Sequence, residues 1–341
     1  MQEETKATFG IDSDYTSCLL NTTAEACKIT QKLVLNSSLL VAIHNTIQER
    51  DQVVRIKVPQ TNIQVYTLSK TRGMLKLETD IICSNKTSPN DCDLFFFDHF
   101  NATSTQFYTL KSVPYSNQVV SSYKMNPKVL EEAIQVSPFK SITVSVAKIV
   151  SSDNFFFVQM IGDHSTFVVK DRNQSHVFRL RYNYYPSYCD GPSDYYNSGA
   201  YLFRPQNQSI NGSSPYSMPS QTAVFSGKVV TQITLYSDKV ITNIRLENRE
   251  SSTPGIELET FIDSISIEDQ VGKEIVLLVD APEINSNDIW YTDSNGMEMQ
   301  KRKRNHRPQW NLSTEQFASA NYYPITSAIC IQDSKSGVRA T

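Results

Sequence analysis

Acid–base or metal chemistry would have to start from five histidines, and His44, His99, His164, His176 and His306 stand far apart without ligand spacing. Only Asp98-His99 sets a carboxylate beside an imidazole, and such a pair at a strand end is more often structural than metal-binding. No CxxC pair is present, so a zinc site of that kind is not encoded. The other dense group is Lys301-Arg302-Lys303-Arg304, followed by His306 and Arg307. A basic run of this sort resembles a nucleic-acid patch. The formal net charge is −3 and no second basic stretch supports it, so the tetrad reads as a solvated loop. No run approaches the roughly 18 apolar residues of a membrane span. Neither nucleic acid nor membrane is expected as a partner, and no nucleophile, general acid/base or metal ligand can be assigned.

What remains is binding chemistry, concentrated in Asp288–Asp333. Ile289, Trp290 and Tyr291 favour a strand, and Asp293-Ser294-Asn295-Gly296 carries the Asn-Gly signal of a hairpin turn needing positive φ. Met297–Arg302 would run back, and Ile325–Ile331 would add a further strand. Between them Lys303–Asn321 forms a long loop with Trp310, leading into Asn321-Tyr322-Tyr323-Pro324. A long aromatic loop in a β-rich region is more often functional than a plain connector.

The elements that must hold this stretch are strands almost throughout. Leu39–Ile47, the alternating Val54/Ile56/Val58, Ile63/Val65, Leu75–Ile82, Leu94–Phe97 and Phe107–Val113 predict a small antiparallel sandwich. Asn126-Pro127 could cap the only helix, ending near Ile134. Strands return at Ser141–Val150, Asn154–Ile161, Ser165–Lys170 and His176–Tyr185, then at Ala223–Tyr236, Val240–Glu247, Ile256–Ile267 and Glu274–Val279. Ser187–Ser217 between them is polar and rich in Pro and Asn.

Six cysteines add a redox argument. Cys18 and Cys27 are nine apart, as are Cys83 and Cys92, and turn-forming residues between each pair suit two local disulfides; Cys189 and Cys330 stay open. Asn21, Asn36, Asn85, Asn101, Asn173, Asn207, Asn211 and Asn311 all lie in N-x-S/T, which with the paired cysteines favours the secretory pathway. Met1–Gly10 is polar and is no signal peptide, and Lys335–Thr341 stops without a closing element, so truncation at both ends is expected.

The run Tyr291-Thr-Asp-Ser-Asn-Gly-Met-Glu-Met-Gln-Lys-Arg302, then Arg307-Pro-Gln-Trp310, Ala320-Asn-Tyr-Tyr-Pro-Ile-Thr-Ser327 and Cys330-Ile-Gln-Asp333, resembles the β-rich C-terminal half of lysosomal-type α-mannosidases, glycoside hydrolase family 38. Ser198-Gly-Ala-Tyr-Leu-Phe-Arg-Pro205 matches upstream in the expected order, and Cys18/Cys27 is similar to a small disulfide loop of the family. The resemblance implies an all-β chain: residues 1–35 as a lead-in, 36–114 as a small β-sandwich, and 115–341 as a larger, incomplete, supersandwich-like β-sandwich. It implies part of an enzyme, lysosomal or secreted, that hydrolyses terminal α-D-mannose from N-glycan oligosaccharides. A retaining glycosidase needs two carboxylates about 5–5.5 Å apart. In this family the nucleophile and a zinc held by His and Asp lie in an N-terminal α/β domain, whose motifs are not found here. That domain and the oligosaccharide are the implied partners; no cofactor is expected in this chain, with zinc in the missing domain. By resemblance Tyr201 and Arg302 would line the sugar pocket; otherwise they are a core aromatic and a solvated charge. The alternative is a stand-alone secreted β-sandwich that binds carbohydrate without cleaving it.

Overall fold

A computed structural model describes residues 30–45, 48–59, 62–69, 73–83, 92–114, 143–150, 155–161, 166–171, 174–188, 198, 203–206, 213–217, 219, 221–248, 256–314, 317–333 and 339–340. The first seven strands are β1 (Ser38–His44), β2 (Arg50–Val58), β3 (Ile63–Ser69), β4 (Gly73–Lys76), β5 (Thr79–Cys83), β6 (Cys92–Phe100) and β7 (Thr105–Ser112). They form two antiparallel sheets, β1-β7-β3-β4 and β2-β6-β5. Period-two alternation explains the packing: Val54, Ile56 and Val58 turn inward while Arg55 and Lys57 turn away. With Leu94, Phe96, Tyr108 and Leu110 they make the first core. Leu75–Ile82 is two strands rather than the expected one, because β4 pairs with β3 in one sheet and β5 with β6 in the other. The Cys83–Cys92 disulfide is present and joins register partners of β5 and β6. Cys18 and Cys27 lie outside the described residues.

Phe95-Phe96-Phe97 breaks the alternation, and a continuous apolar run signals burial on both faces of a sheet. Phe96 enters the first core, while Phe95 joins Ile82, Val53, Phe225, Val229 and Val230 in a second cluster behind the sheet.

The later strands are β8 (Thr143–Val150), β9 (Phe155–Ile161), β10 (Thr166–Asp171), β11 (Gln174–Pro186), β12 (Ser214–Ser217), β13 (Gln221–Ser226), β14 (Val230–Tyr236), β15 (Val240–Glu247), β16 (Ile256–Ile262), β17 (Lys273–Asp280), β18 (Ile289–Ser294), β19 (Glu298–Lys303), β20 (Ile329–Gln332) and β21 (Arg339–Ala340). They build a six-stranded sheet β12-β11-β10-β9-β8 with β17 also on β11, a sheet β13-β14-β15-β16, and a sheet β19-β18-β20-β21. The chain is all-β, with antiparallel pairing in every sheet. Expected Ala223–Tyr236 is a hairpin, not one strand: Gly227 and its neighbours turn between β13 and β14. The expected helix near 126–134 lies outside the described residues. Instead the long loop holds one helical turn, α1 (Phe317–Ala320).

A buried polar joint couples the first sandwich to the β13–β16 sheet. The Asp80 carboxylate accepts the backbone N–H groups of Lys228 (3.0 Å), Val229 (2.6 Å) and Val230 (2.9 Å). A Cβ on Gly227 would meet Asp80 Oδ2 at 2.1 Å, so only glycine fits there. Beside it Arg55 grips Asp93 through two hydrogen bonds of 2.8 Å and reaches Glu259 at 2.8 Å. Arg245 donates to Glu259, to Glu257 at 2.8 Å and to Gln232 at 2.6 Å. Both guanidinium groups lie over the Phe95 ring, at 6.0 and 5.7 Å. Burial alone would raise the Glu259 carboxyl, but Arg55 and Arg245 outweigh it and bring it down to about 2.

Candidate functional site

The hairpin β18–β19 carries the residues singled out from sequence. Asn295 and Gly296 take positive φ (49° and 72°), as the Asn-Gly turn requires, and Met297 N–H closes on Ser294 O at 2.9 Å. Register places Trp290 opposite Arg302 and Thr292 opposite Gln300, so these four share one face. Arg302 is half-buried, not a free solvated charge. Its Nε donates to Thr292 Oγ1 at 3.0 Å and its guanidinium stacks 4.6 Å over the Tyr323 ring. Arg307 approaches the same ring at 4.4 Å, and Trp290 meets it edge-on at 5.6 Å. Two cations on one phenol ring both draw on its quadrupole. Arg307 is fixed by donating to Ala320 O at 3.1 Å.

The buried carboxylate of Asp293 holds this arrangement together. Its Oδ1 accepts the N–H groups of Thr326, Ser327 and Ala328 at 2.9, 3.0 and 3.1 Å, and its Oδ2 accepts Gly296 N–H at 2.8 Å. The donated hydrogen bonds, Ser327 first, hold the carboxyl well below the usual carboxylate range against the opposing effect of desolvation. One side chain thereby ties the turn of the hairpin to the segment that delivers Tyr322 and Tyr323. Sequence reasoning missed Asp293, Tyr323 and Arg307; for Asp293 the signal was available, since an Asp opening an Asn-Gly turn is a ready Asx-turn acceptor.

The upstream motif reaches the same place. Ser319 Oγ donates to Phe203 O at 2.6 Å, and the Phe203 ring meets Tyr322 at 5.4 Å and Tyr185 at 5.6 Å. Ser198 and Arg204 close the two ends of the motif, with Arg204 N–H donating to Ser198 Oγ at 3.2 Å. Tyr201 lies outside the described residues; Phe203 of its motif meets Tyr322, next to the Tyr323 ring on which Arg302 stacks. Tyr322 is exposed beside Phe203, and Trp310 in the long loop is exposed as well.

The basic tetrad straddles the end of β19, with Lys301–Lys303 in the strand and Arg304 just past it. Lys301 and Lys303 are exposed, and Arg304 pairs with Asp288 at 3.0 Å while lying 5.8 Å over Phe317. Asp98-His99 is woven into the first sandwich: Asp98 accepts Tyr108 O–H at 2.8 Å, and the His99 ring meets Asp51 at 2.7 Å and Glu49 at 3.2 Å. Among the described residues no three His, Cys, Asp or Glu side chains converge as a metal site, so they do not fit the zinc expected elsewhere. Cys330 is buried, its sulfur 3.6 Å from Ile331 O; Cys189 is outside the described residues. Of the sequons, Asn36, Asn101 and Asn311 are described and exposed; Asn21, Asn85, Asn173, Asn207 and Asn211 are outside the described residues.

Chemically, the cluster offers guanidinium donors held in place beside flat aromatic faces, which suits a polyol. Its central carboxylate is fully engaged by backbone donors and is not placed to exchange a proton.

Comparison with known proteins adds to this geometry. Residues 158–339 match the family model described as Glycosyl hydrolases family 38 C-terminal domain. Over 92% of its length the chain is 27% identical to a lysosomal alpha-mannosidase of Dictyostelium discoideum, of which the match covers 30%. It is 34% identical over 45% of its length to a probable alpha-mannosidase of Arabidopsis thaliana, covering 15% of that protein. An alpha-mannosidase of Canavalia ensiformis is 34% identical over 46% of the chain, again with 15% of the relative covered. The chain thus spans less than a third of the length of these relatives.

Proposed function

This chain belongs to glycosyl hydrolase family 38, and from that premise we propose that it is the β-rich portion of an α-mannosidase acting on terminal α-D-mannose of N-glycan oligosaccharides. The small sandwich of residues 36–114 and the larger unit of 115–341 brace a catalytic α/β domain, which supplies the carboxylates and the zinc. The arginine–aromatic cluster completes the wall of the sugar pocket, with Arg302 and Tyr201 facing the substrate. The observation that carries this reading is Arg302 itself, oriented by Thr292 and Tyr323 with donors left for a ligand. Exposed Asn36, Asn101 and Asn311, with the Cys83–Cys92 disulfide, support N-glycosylation and a lysosomal or secreted location.

By itself the chain is expected not to turn over an aryl α-mannoside, with or without zinc. Zinc-dependent turnover above background by this chain alone would overturn the reading. The pocket role is tested in a chimaera that carries this chain in place of the aligned part of the Dictyostelium relative. There Arg302→Ala is expected to lower kcat/KM at least about tenfold through loss of a charged hydrogen bond to the sugar. Unchanged kinetics would remove Arg302 from the pocket.

Exposed Trp310 and Tyr322 favour a second reading, a carbohydrate-binding module that works without a catalytic partner. Calorimetric titration of mannose oligosaccharides onto the isolated chain separates the two: measurable affinity favours the module, and none favours a pocket wall.

A further inference from the structure

The larger sandwich is open along one side. Tyr182 on β11 reaches across it, its hydroxyl meeting Thr242 at 2.8 Å and Thr260 at 2.6 Å, which identifies the inward faces of both sheets. On those faces each apolar residue of β16 or β17 sits beside a register partner one strand further in. Leu258 lies opposite Ile244, Ile262 opposite Val240, Leu277 opposite Tyr182, and Val279 opposite Leu180. The four inner partners are at most 5% exposed, whereas Leu258, Ile262, Leu277 and Val279 are 37%, 45%, 40% and 52% exposed. Inward-pointing side chains of two facing sheets therefore remain wet at the same margin.

Backbone and sequence point the same way. Among the described residues β16 pairs only with β15, and β17 only with β11. β17 reads Lys273-Glu-Ile-Val-Leu-Leu-Val-Asp280, with apolar residues on both faces and none of the charges or prolines that blunt a true edge inside its central five positions. None of the eight sequons falls between Asn211 and Asn311, the stretch that carries β16 and β17, as suits strands that are covered by polypeptide. The relatives are more than three times the matched length, so polypeptide beyond these 341 residues is available in proteins of this family to cover it.

We propose that the β16–β17 margin is an interaction surface for an extended apolar segment from the remainder of a family-length polypeptide, added as a strand on β17 and closing the core over Leu258, Ile262, Leu277 and Val279. Strand addition satisfies the free backbone groups of the edge and buries the alternate side chains together. The proposal rests on family membership and not on the sugar-binding role of the cluster, and none of its readouts involves activity.

Two measurements test it. In the first, hydrogen exchange is compared between the isolated chain and the chimaera described above. The β16 and β17 amides are expected to exchange at least about tenfold more slowly in the chimaera. Equal rates would overturn the proposal. Protection that rises with the concentration of the isolated chain, together with a dimer mass in sedimentation, would also overturn it by assigning the surface to a second copy. The second measurement needs no chimaera. L277K/V279K in the isolated chain is expected to weaken binding of a hydrophobic dye and change the Tm little, because these side chains are about half exposed there. A large fall in Tm, or dye binding that is undiminished, would show that the margin is already closed.

Discussion

Glu259→Gln isolates the electrostatic joint between the two sandwiches, because it keeps the shape of the side chain and removes its charge. Glu259 is almost fully buried and accepts hydrogen bonds from Arg55, Arg245 and Asn243. A carboxyl brought from an ordinary 4.5 down to about 2 by these neighbours corresponds to roughly 3 kcal/mol in favour of the anion. The loss on substitution is smaller, because Arg55 keeps both bonds to Asp93 and Arg245 keeps Glu257 and Gln232. A destabilisation of about 2–3 kcal/mol at neutral pH is expected, near the lower end for breaking a buried ion pair. Its pH dependence has a definite sign. A depressed folded pKa contributes stability that is fully present above the unfolded value of about 4.5 and fades as pH falls toward 2. The gap between parent and variant should therefore be constant from pH 7 to about 5 and narrow below 4.5. Urea unfolding followed by circular dichroism at pH 7, 5, 4 and 3 reads this directly, with surface Glu257→Gln as a control expected to cost under about 1 kcal/mol. A loss below about 0.5 kcal/mol at pH 7, or a gap that does not narrow on acidification, would refute the reasoning.

Three further outcomes follow from single sites. Gly227→Ala should destabilise by about 1–3 kcal/mol in denaturant titration, since the new methyl meets a carboxylate pinned by three backbone donors and unable to move aside. Asp293→Ala should speed hydrogen exchange at Gly296, Thr326, Ser327 and Ala328 and alter the fluorescence of Trp290, while Asp293→Asn, which keeps an acceptor oxygen, should do less. Cys83→Ser with Cys92→Ser should cost about 2–3 kcal/mol by freeing a short loop in the unfolded chain, measured as a lower urea midpoint.

The fold class was legible because alternation is a local signal. Val54/Ile56/Val58 marks an inward face whatever lies opposite, and Asn295-Gly296 names its turn because few residues tolerate positive φ. The Cys83–Cys92 pair was legible from spacing, as partners on adjoining strands. Two long strands were misread for one reason: Leu75–Ile82 and Ala223–Tyr236 are apolar enough to run on, and only the pairing of each half decides where the chain must turn.

Local residue types thus determined the β architecture, the hairpin at Asp293–Gly296 and the family resemblance built on Tyr291–Arg302. Tertiary structure alone decided what those residues touch. Arg55 and Glu259 are 204 positions apart, and Phe203 and Ser319 are 116 apart. No periodicity within a strand reports on such meetings, because each partner has an equally ordinary solvated alternative. The same holds for Arg302, which the sequence leaves as either a surface charge or a pocket donor. Burial of Asp293 under four backbone N–H groups brings Tyr323 to it, and a long-range packing event of that kind is written in neither segment by itself.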